Sequence, residues 1–476
     1  MNQKSIPLNL SSKDAQILLA EIEQKIVFFI DTLHEQPVQN LEKFNSEADW
    51  LKDKIPELPS NSQSILDFIF NEIIPPAMNA ASPGYLAYVP GGGLFSSAMA
   101  EFIAAVVNRY TGMWESAPAA VELETQALRW LAELIGLPKG TLGLFTSGGS
   151  MSTLIAMVAA REKYLGNQLL KGTVYYSNQV HYAITKAAQV AAIPKENLRP
   201  IPVDNQFRLR INLLEQEIQK DKKAGLLPFF VCGTAGTVNT GAIDPLEEIA
   251  QLAAKYQFWF HVDGAYGAVF YLVPELQPLF KGMEQADSVA VDPHKGLFLA
   301  YGTGALLVKN MENLRRAFEI SAAYLPDSQK DNMHLDFREF SPELSRDWRG
   351  LRLWLPFKLH GVDAFRQALA EKRRLAVRVW EKLSLEPDIE IVTPPELSLF
   401  AFRQRISHIN QIEENNQNRK LLALINQSKK IMLSGTELNG QFFLRICILH
   451  LRTHQAIVDT GLKIIQEAIK KMREQP

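Results

Sequence analysis

Apolar residues recur along the chain in two different rhythms. Over 13–33 they fall at every third or fourth position (Ile17, Leu18, Ile22, Ile26, Phe29, Ile30, Leu33), which predicts a helix with one buried face, capped by Ser11 or Ser12 and ended by Pro37. A second helix over 64–74 stops at Pro75-Pro76. The Pro/Gly/Tyr stretch 83–93 reads as a loop, with helices following over 96–110 and 118–135. From 142 the rhythm changes. Short apolar runs over 142–146, 173–177, 229–233, 259–262, 288–291 and 304–308 predict strands, and helical patterns over 151–165, 182–192, 210–220, 245–256 and 311–318 lie between them. Such alternation predicts an α/β fold with a mainly parallel sheet covered on both faces, which takes its ligand outside the carboxyl ends of the strands.

The segment 324–348 is polar, has no period and is longer than an ordinary connection, which suits a functional or disordered loop. Beyond it, helices are predicted over 349–360 and 362–383, strands near 389–392, 399–403, 431–434 and 441–447, and a last helix over 454–471. This is a smaller α+β unit. The Asn-rich stretch 410–419 reads as a solvated loop. The two N-terminal helices make little core alone, so docking on a partner subunit is one expectation for them.

Composition narrows the class. With 476 residues, 47% hydrophobic and 21% charged, the chain fits a soluble globular protein of two or three domains. A formal net charge of −2 supplies no field for nucleic acid or anionic membrane. Cys232 and Cys447 are the only cysteines, too few for a disulfide framework or a cysteine metal cluster, and they fit a reducing cytoplasm. The N-terminal residues lack a signal peptide's apolar core, and runs such as 26–30 and 103–107 are far short of a membrane span.

Four polar groups fall at the predicted strand ends. Thr146-Ser-Gly-Gly-Ser-Met-Ser152 joins a strand to a helix whose first N–H groups are free, a cup for a phosphate or another anion, although such a segment alone could equally be a plain turn. Ser177-Asn-Gln-Val-His181 follows the second strand; a lone histidine is more often structural than catalytic. In His261-Val-Asp-Gly-Ala-Tyr266, Asp263 ends an apolar strand, where a carboxylate is costly without a cation or donor. Asp292-Pro-His-Lys295 places a lysine at the exit of a core strand; most lysines are solvated, and one in a dry site becomes a nucleophile. A phosphate cup, a ring-stacking histidine, a buried carboxylate and an anchoring lysine, in that order, are the set that pyridoxal 5'-phosphate requires.

On these motifs, and on Ala117-Pro-Ala-Ala-Val-Glu-Leu-Glu124, the chain resembles the group II pyridoxal-phosphate-dependent amino acid decarboxylases, the family of aromatic-L-amino-acid and glutamate decarboxylases, over about residues 83–452. The resemblance implies an aspartate-aminotransferase-like fold (fold type I) and a homodimer with active sites at the subunit boundary. It makes Lys295 the cofactor's covalent anchor, Asp263 the partner of its pyridine nitrogen and His181 the stacking residue. Gly149, Ser150 and His294 would hold the phosphate, with Asp292 and Thr237 also at the cofactor. Tyr88, Tyr110 and Trp114 would line the substrate pocket. No metal is implied. The expected divisions are an N-terminal helical arm (1–80), a large cofactor-binding domain (81–345) and a small C-terminal α+β domain (346–476).

Several positions depart from the family pattern. Asp292 stands where Asn is common, so another acid near the phosphate must find a cation or donor. Val238 replaces a second Thr. Gly84 and Gly91 replace bulkier pocket residues, which suggests a substrate of different shape. In the family a loop Tyr returns a proton to Cα after carbon dioxide leaves. At the matching position stands Phe337, which cannot donate one, and Phe340 lies close by. Either His334 or His181 reprotonates Cα, giving the amine, or oxygen intervenes and the product is an aldehyde, or the register differs by a few residues and Tyr324 is the donor. The favoured expectation is decarboxylation of an L-amino acid, aromatic by resemblance, in the cytoplasm. The alternatives are an oxygen-dependent aldehyde synthase, a decarboxylase of glutamate or 2,4-diaminobutyrate, a carbon–carbon lyase, or a cofactor-binding regulator without turnover.

Overall fold

Ser11 accepts the backbone N–H of Asp14 and starts helix α1 (Ser12–Asp31), and Asn61 accepts that of Ser64 to start α2 (Ser62–Phe68). In the computed structural model, which describes residues 8–319 and 334–474, α2 runs on into a π-turn over Ile69–Ile73. The expected buried face of α1 is absent: the helix holds no buried residue, and Ile17, Val27 and Phe28 are exposed. Its sequence is amphipathic, but its main neighbour in this chain is α2, reached by the Lys25–Asp67 ion pair. Two further helices follow, α3 (Phe95–Val107) and α4 (Pro118–Leu134), the second with proline at its first turn, where a missing N–H costs nothing.

The large sheet is laid down by alternation. In chain order come β1 (Leu142–Thr146), α5 (Gly149–Leu165), β2 (Gly172–Ser177), α6 (Ala183–Val190), β3 (Leu198–Ile201) and α7 (Ile211–Lys223). Then come β4 (Leu227–Thr234), α8 (Leu246–Tyr256), β5 (Trp259–Asp263), β6 (Ser288–Val291), the single turn α9 (Pro293–Gly296), β7 (Gly304–Val308) and α10 (Glu312–Phe318). The strand order is β1-β7-β6-β5-β4-β2-β3. Only β7 runs against its neighbours, so the other six strands point the same way. Both faces are covered, which is why β4 and β5 carry apolar side chains in succession: Phe229, Phe230, Trp259 and Phe260 are all buried. Each such side chain contributes about 1.5–3 kcal/mol on leaving water.

The strand β3 is missing from the sequence expectation. It is a sheet edge of four residues carrying Arg199 and Pro200, so it has neither an apolar run nor clean alternation, and proline is tolerated where no neighbour needs its N–H.

The remaining chain forms α11 (Leu351–Leu383), β8 (Ile389–Ile391), β9 (Leu399–Gln404), α12 (Gln411–Asn426), β10 (Ser434–Leu438), β11 (Gln441–Cys447) and α13 (Gln455–Glu474). Its sheet is antiparallel, in the order β10-β11-β9-β8. The two predicted helices before it are joined into α11 and broken only at Gly361, whose φ of 70° leaves the helical region. Leu353, Phe357, Phe365 and Leu369 of α11 belong to the large apolar cluster, and Leu375, Val379 and Leu383 to that of the small sheet.

Two expectations are corrected here. Residues 410–419 are not a solvated loop but open α12. Asn410 caps the helix through the Glu413 N–H, Asn418 bonds both the N–H and the carbonyl of Gln404, and Asn415 bonds the Phe442 N–H and the Gly440 carbonyl. These asparagines satisfy backbone groups of the adjoining strands, a job that composition alone reads as loop polarity. The strand expected over 431–434 begins instead at Ser434; Met432 pairs with the backbone of Gly84 and Leu86 in the N-terminal loop.

Candidate active site

Because the parallel strands share a direction, Thr146, Ser177, Thr234, Asp263 and Val291 end at one edge of the sheet. The residues just past them line a cavity of about 300 Å³, among them Gly148, Gly149, Ser150, His181, Asp263, Asp292, His294 and Lys295. Seven of the sequence-expected residues are thus brought together.

Glycine opens the cup. A Cβ at Gly149 would lie 3.0 Å from the Ala265 Cβ and 3.2 Å from Asp292 Oδ2, so a side chain there would fill it. The first N–H groups of α5 have no helical partner and face an incoming anion.

Across the cavity, Asp263 is 9% exposed and accepts the Ala265 N–H at 3.2 Å through Oδ1. A Cβ on the following Gly264 would lie 2.6 Å from that of Ala268, so the chain turns here only because the residue is small. The Nδ1 of His181 accepts the Ala183 N–H at 3.2 Å, which leaves the proton of the neutral ring on Nε2. Burial holds the His181 pKa below its ordinary value, against the pull of Asp263.

Lys295 Nζ lies 2.8 Å from Asp292 Oδ2. Burial works to lower the lysine's pKa, but the charge and hydrogen bond of Asp292, with Asp263 behind it, outweigh burial and raise it. His294 donates Nδ1–H to the Thr303 carbonyl at 2.9 Å, and burial holds its pKa down. The other carboxylate oxygen of Asp292, Oδ1, is buried without a hydrogen-bond partner.

An anion cup, a buried carboxylate opposite it, a flat-faced histidine and a lysine fit pyridoxal phosphate. The orphaned Oδ1 and the cradle that a Cβ at Gly149 would fill are the structural signs of a group that belongs there.

The remaining sequence candidates lie elsewhere. Thr237 is buried, its hydroxyl paired with Thr240 at 2.8 Å and accepting the Ala242 N–H; Gly236 and Val238 line the cavity on either side of it. Tyr88 is 52% exposed and does not line the cavity. Tyr110 donates its hydroxyl to the Leu344 carbonyl. Trp114 donates its backbone N–H to Asp336 and its indole N–H to Glu122, and stacks on His334 at 3.6 Å. Tyr110, Trp114 and His334 therefore tie down the segment 334–347 and do not line the cavity within this chain. Phe337, expected in the pocket, is fully buried in the large apolar cluster with the Arg346 guanidinium over its ring at 4.5 Å. Tyr324 lies outside the described residues. Gly84 and Gly91 do not enlarge a pocket: a Cβ would lie 1.9 Å from the Lys430 carbonyl oxygen at the first and 1.9 Å from that of His294 at the second. Sequence reading passed over Tyr301. Its ring lies 5.6 Å from that of His294, beside the turn that carries Lys295. Its place six residues past Lys295, in a glycine-flanked turn, was the available signal.

Comparison with known proteins supplies the family. The pyridoxal-dependent decarboxylase conserved domain matches residues 44–405, and the chain belongs to that family of pyridoxal-phosphate-dependent carboxy-lyases. It is 33% identical to the aromatic-L-amino-acid decarboxylase of Bacillus atrophaeus, over 94% of this chain and 93% of that protein. It is also 33% identical to the phenylacetaldehyde synthase of Arabidopsis thaliana, over 88% of each. The crystal structure of Oryza sativa TDC with PLP and tryptamine superposes with a TM-score of 0.93 at 25% identity, covering 98% of this chain and 100% of that one. The fold is the aspartate-aminotransferase type, with the mainly parallel sheet and the smaller C-terminal domain expected from the sequence.

Proposed function

We propose that the protein decarboxylates an aromatic L-amino acid to its amine and carbon dioxide, in the cytoplasm and as a homodimer. When bound, the cofactor would supply an electron sink for the pair left on Cα as carbon dioxide departs. Lys295 would anchor the cofactor, Asp263 would keep its ring nitrogen protonated, His181 would stack on its ring, and Gly149 and Ser150 would hold its phosphate, with His294 packed beside them. Burial of the cavity floor excludes water from the reacting carbon.

The observation that carries the amine product over the aldehyde is the position of Phe337. A phenylalanine that diverts the reaction toward oxygen must face Cα in place of the tyrosine. Phe337 is instead a core residue under Arg346. His334 stacks on Trp114 and does not line the cavity either. Proton return then falls to His181, which lines the cavity, or to Tyr324. The aromatic substrate class is supported by the relatives, which include an aromatic-L-amino-acid decarboxylase and a tryptophan decarboxylase of Oryza sativa subsp. japonica at 32% identity. The homodimer is supported by the bare apolar faces of α1 and α3, where Phe28, Phe102 and Val106 are exposed. The cytoplasmic assignment is supported by the two unpaired cysteines, and among the described residues no helix is long and apolar enough to cross a membrane.

The test is incubation of purified, cofactor-loaded protein with a panel of L-amino acids, including glutamate and 2,4-diaminobutyrate, with amine, aldehyde, peroxide and carbon dioxide measured together. Amine and carbon dioxide from an aromatic substrate without peroxide are expected. Aldehyde with peroxide would overturn the amine reading, and turnover confined to the acidic or basic substrates would overturn the aromatic one.

A further inference from the structure

Asp292 sits where an anion is to be bound, and it is itself an anion when ionised. Its side chain is 3% exposed. Its Oδ2 faces Lys295 Nζ at 2.8 Å and His294 Nε2 at 3.8 Å, while Oδ1 has no partner. That free oxygen lies 3.6 Å from the position of a Cβ on Gly149 and 3.9 Å from one on Gly148, so it looks into the cup at the start of α5.

An ionised carboxylate only accepts hydrogen bonds, and so does a phosphate dianion. Two acceptors in one dry cup repel unless a proton lies between them. No neighbour donates one to Oδ1. Lys295 is spent on Oδ2. His294 has given its Nδ1 proton to the Thr303 carbonyl, which leaves Nε2 bare while the ring is neutral. The other titratable groups facing Asp292 are His181 after β2 and Asp263 at the end of β5, the first held neutral by burial. From the start of α5 it meets Gly149, which does not titrate.

We infer that Asp292 meets the cofactor's phosphate through one shared proton, so that the protein takes up a proton from solvent as it captures the phosphate. The proton bridges Asp292 Oδ1 and a phosphate oxygen, and no covalent bond forms or breaks. Asp292 is then a positioning residue whose effect is to make cofactor retention weaken as pH rises. The inference rests on the assignment of the Gly148–Ser150 cup to the phosphate.

The probe is pyridoxamine 5'-phosphate, which has no aldehyde and so leaves Lys295 unmodified. Its binding to cofactor-free protein is followed by titration calorimetry near pH 8, where its phosphate, with a second pKa of about 6, is a dianion. Measurement in two buffers of different ionisation enthalpy counts the protons. Uptake of about one proton is expected, with affinity falling about tenfold per pH unit more steeply than in Asp292→Asn. Asp292→Asn, which can donate without titrating, is expected to take up none and to bind about tenfold or more tightly near pH 8. No uptake by the native protein, or undiminished uptake by Asp292→Asn, would overturn the inference. If the variant does not fold, the proton count on the native protein alone decides. Inorganic phosphate is expected to compete with the probe; failure to compete would overturn the cup assignment, and the inference with it.

Discussion

Arg346 and Glu124 form an ion pair in which neither side chain is exposed to solvent. The second oxygen of Glu124 accepts the Gly350 N–H at 2.9 Å, so one carboxylate fixes both the end of the segment 334–347 and the start of α11. Removing one member of a buried pair strands the other, at about 3–5 kcal/mol. Glu124→Gln is therefore expected to lower the unfolding free energy by roughly that amount, measured by urea denaturation. Glu124→Met with Arg346→Met, which removes both charges, should recover part of the loss.

Lys295→Ala removes the covalent anchor. The variant is expected to bind cofactor only reversibly, to lose the visible absorbance of the cofactor–lysine adduct and to have no measurable turnover. Absorbance spectroscopy before and after dialysis checks this, and a surviving visible band would show that another residue is the anchor.

Asp263→Asn keeps the size of the side chain but gives up the charge opposite the ring nitrogen. We expect kcat to fall by about 10²–10³, the range for losing one preorganised electrostatic contact, with KM little changed. Steady-state kinetics with the substrate found in the panel gives both numbers.

Two histidines make the fold acid-sensitive. Burial pushes His261 and His450 down to about 3. Unfolded histidine titrates near 6.5. Between those values the unfolded state binds more protons, so the stability from burying each neutral ring is complete above about pH 6.5 and is lost as pH falls toward 3, at about 1.4 kcal/mol per pH unit for each ring. Asp244, pushed up to about 6 by burial, works in the opposite sense and is neutral in the fold where the unfolded acid has ionised. Unfolding free energy measured from about pH 7 to 5 is expected to fall, and His450→Gln should reduce the slope by about one proton.

The exposed Val106 of α3 tests the assembly. With the proposed homodimer packed on this face, Val106→Asp is expected to give monomer in analytical ultracentrifugation. An unchanged sedimentation profile would place the subunit contact elsewhere.

The gathering of the candidate cofactor residues into one cavity was legible because each group is short in sequence and ends a strand. Asp292, His294 and Lys295 occupy one turn, and Asp263 closes an apolar run, so local pattern and topology together place them. Tyr110, Trp114 and His334 were not legible in the same way. Tyr110 and Trp114 bond Leu344 and Asp336 from distant chain, His334 stacks on Trp114, and no periodicity encodes those contacts. Phe337 shows the same limit. A phenylalanine in a polar segment gives no sign whether it faces a pocket or the core, and here it faces the core. The glycines at 84 and 91 were visible as small residues, but only the fold shows that the space beside them is taken by backbone.

The close approach at Gly91 joins parts of the chain that the sheet keeps separate. Its Cα rests on the carbonyl of His294, its own carbonyl accepts the Leu451 N–H, and nearby Leu86 pairs with Met432 and Cys447. The loop 83–93 thus touches the C-terminal strands, the segment at Leu451 and the turn that carries Lys295. A side chain at position 91 would therefore collide with the backbone of the turn that carries Lys295, so this glycine sets how closely the loop and that turn can pack.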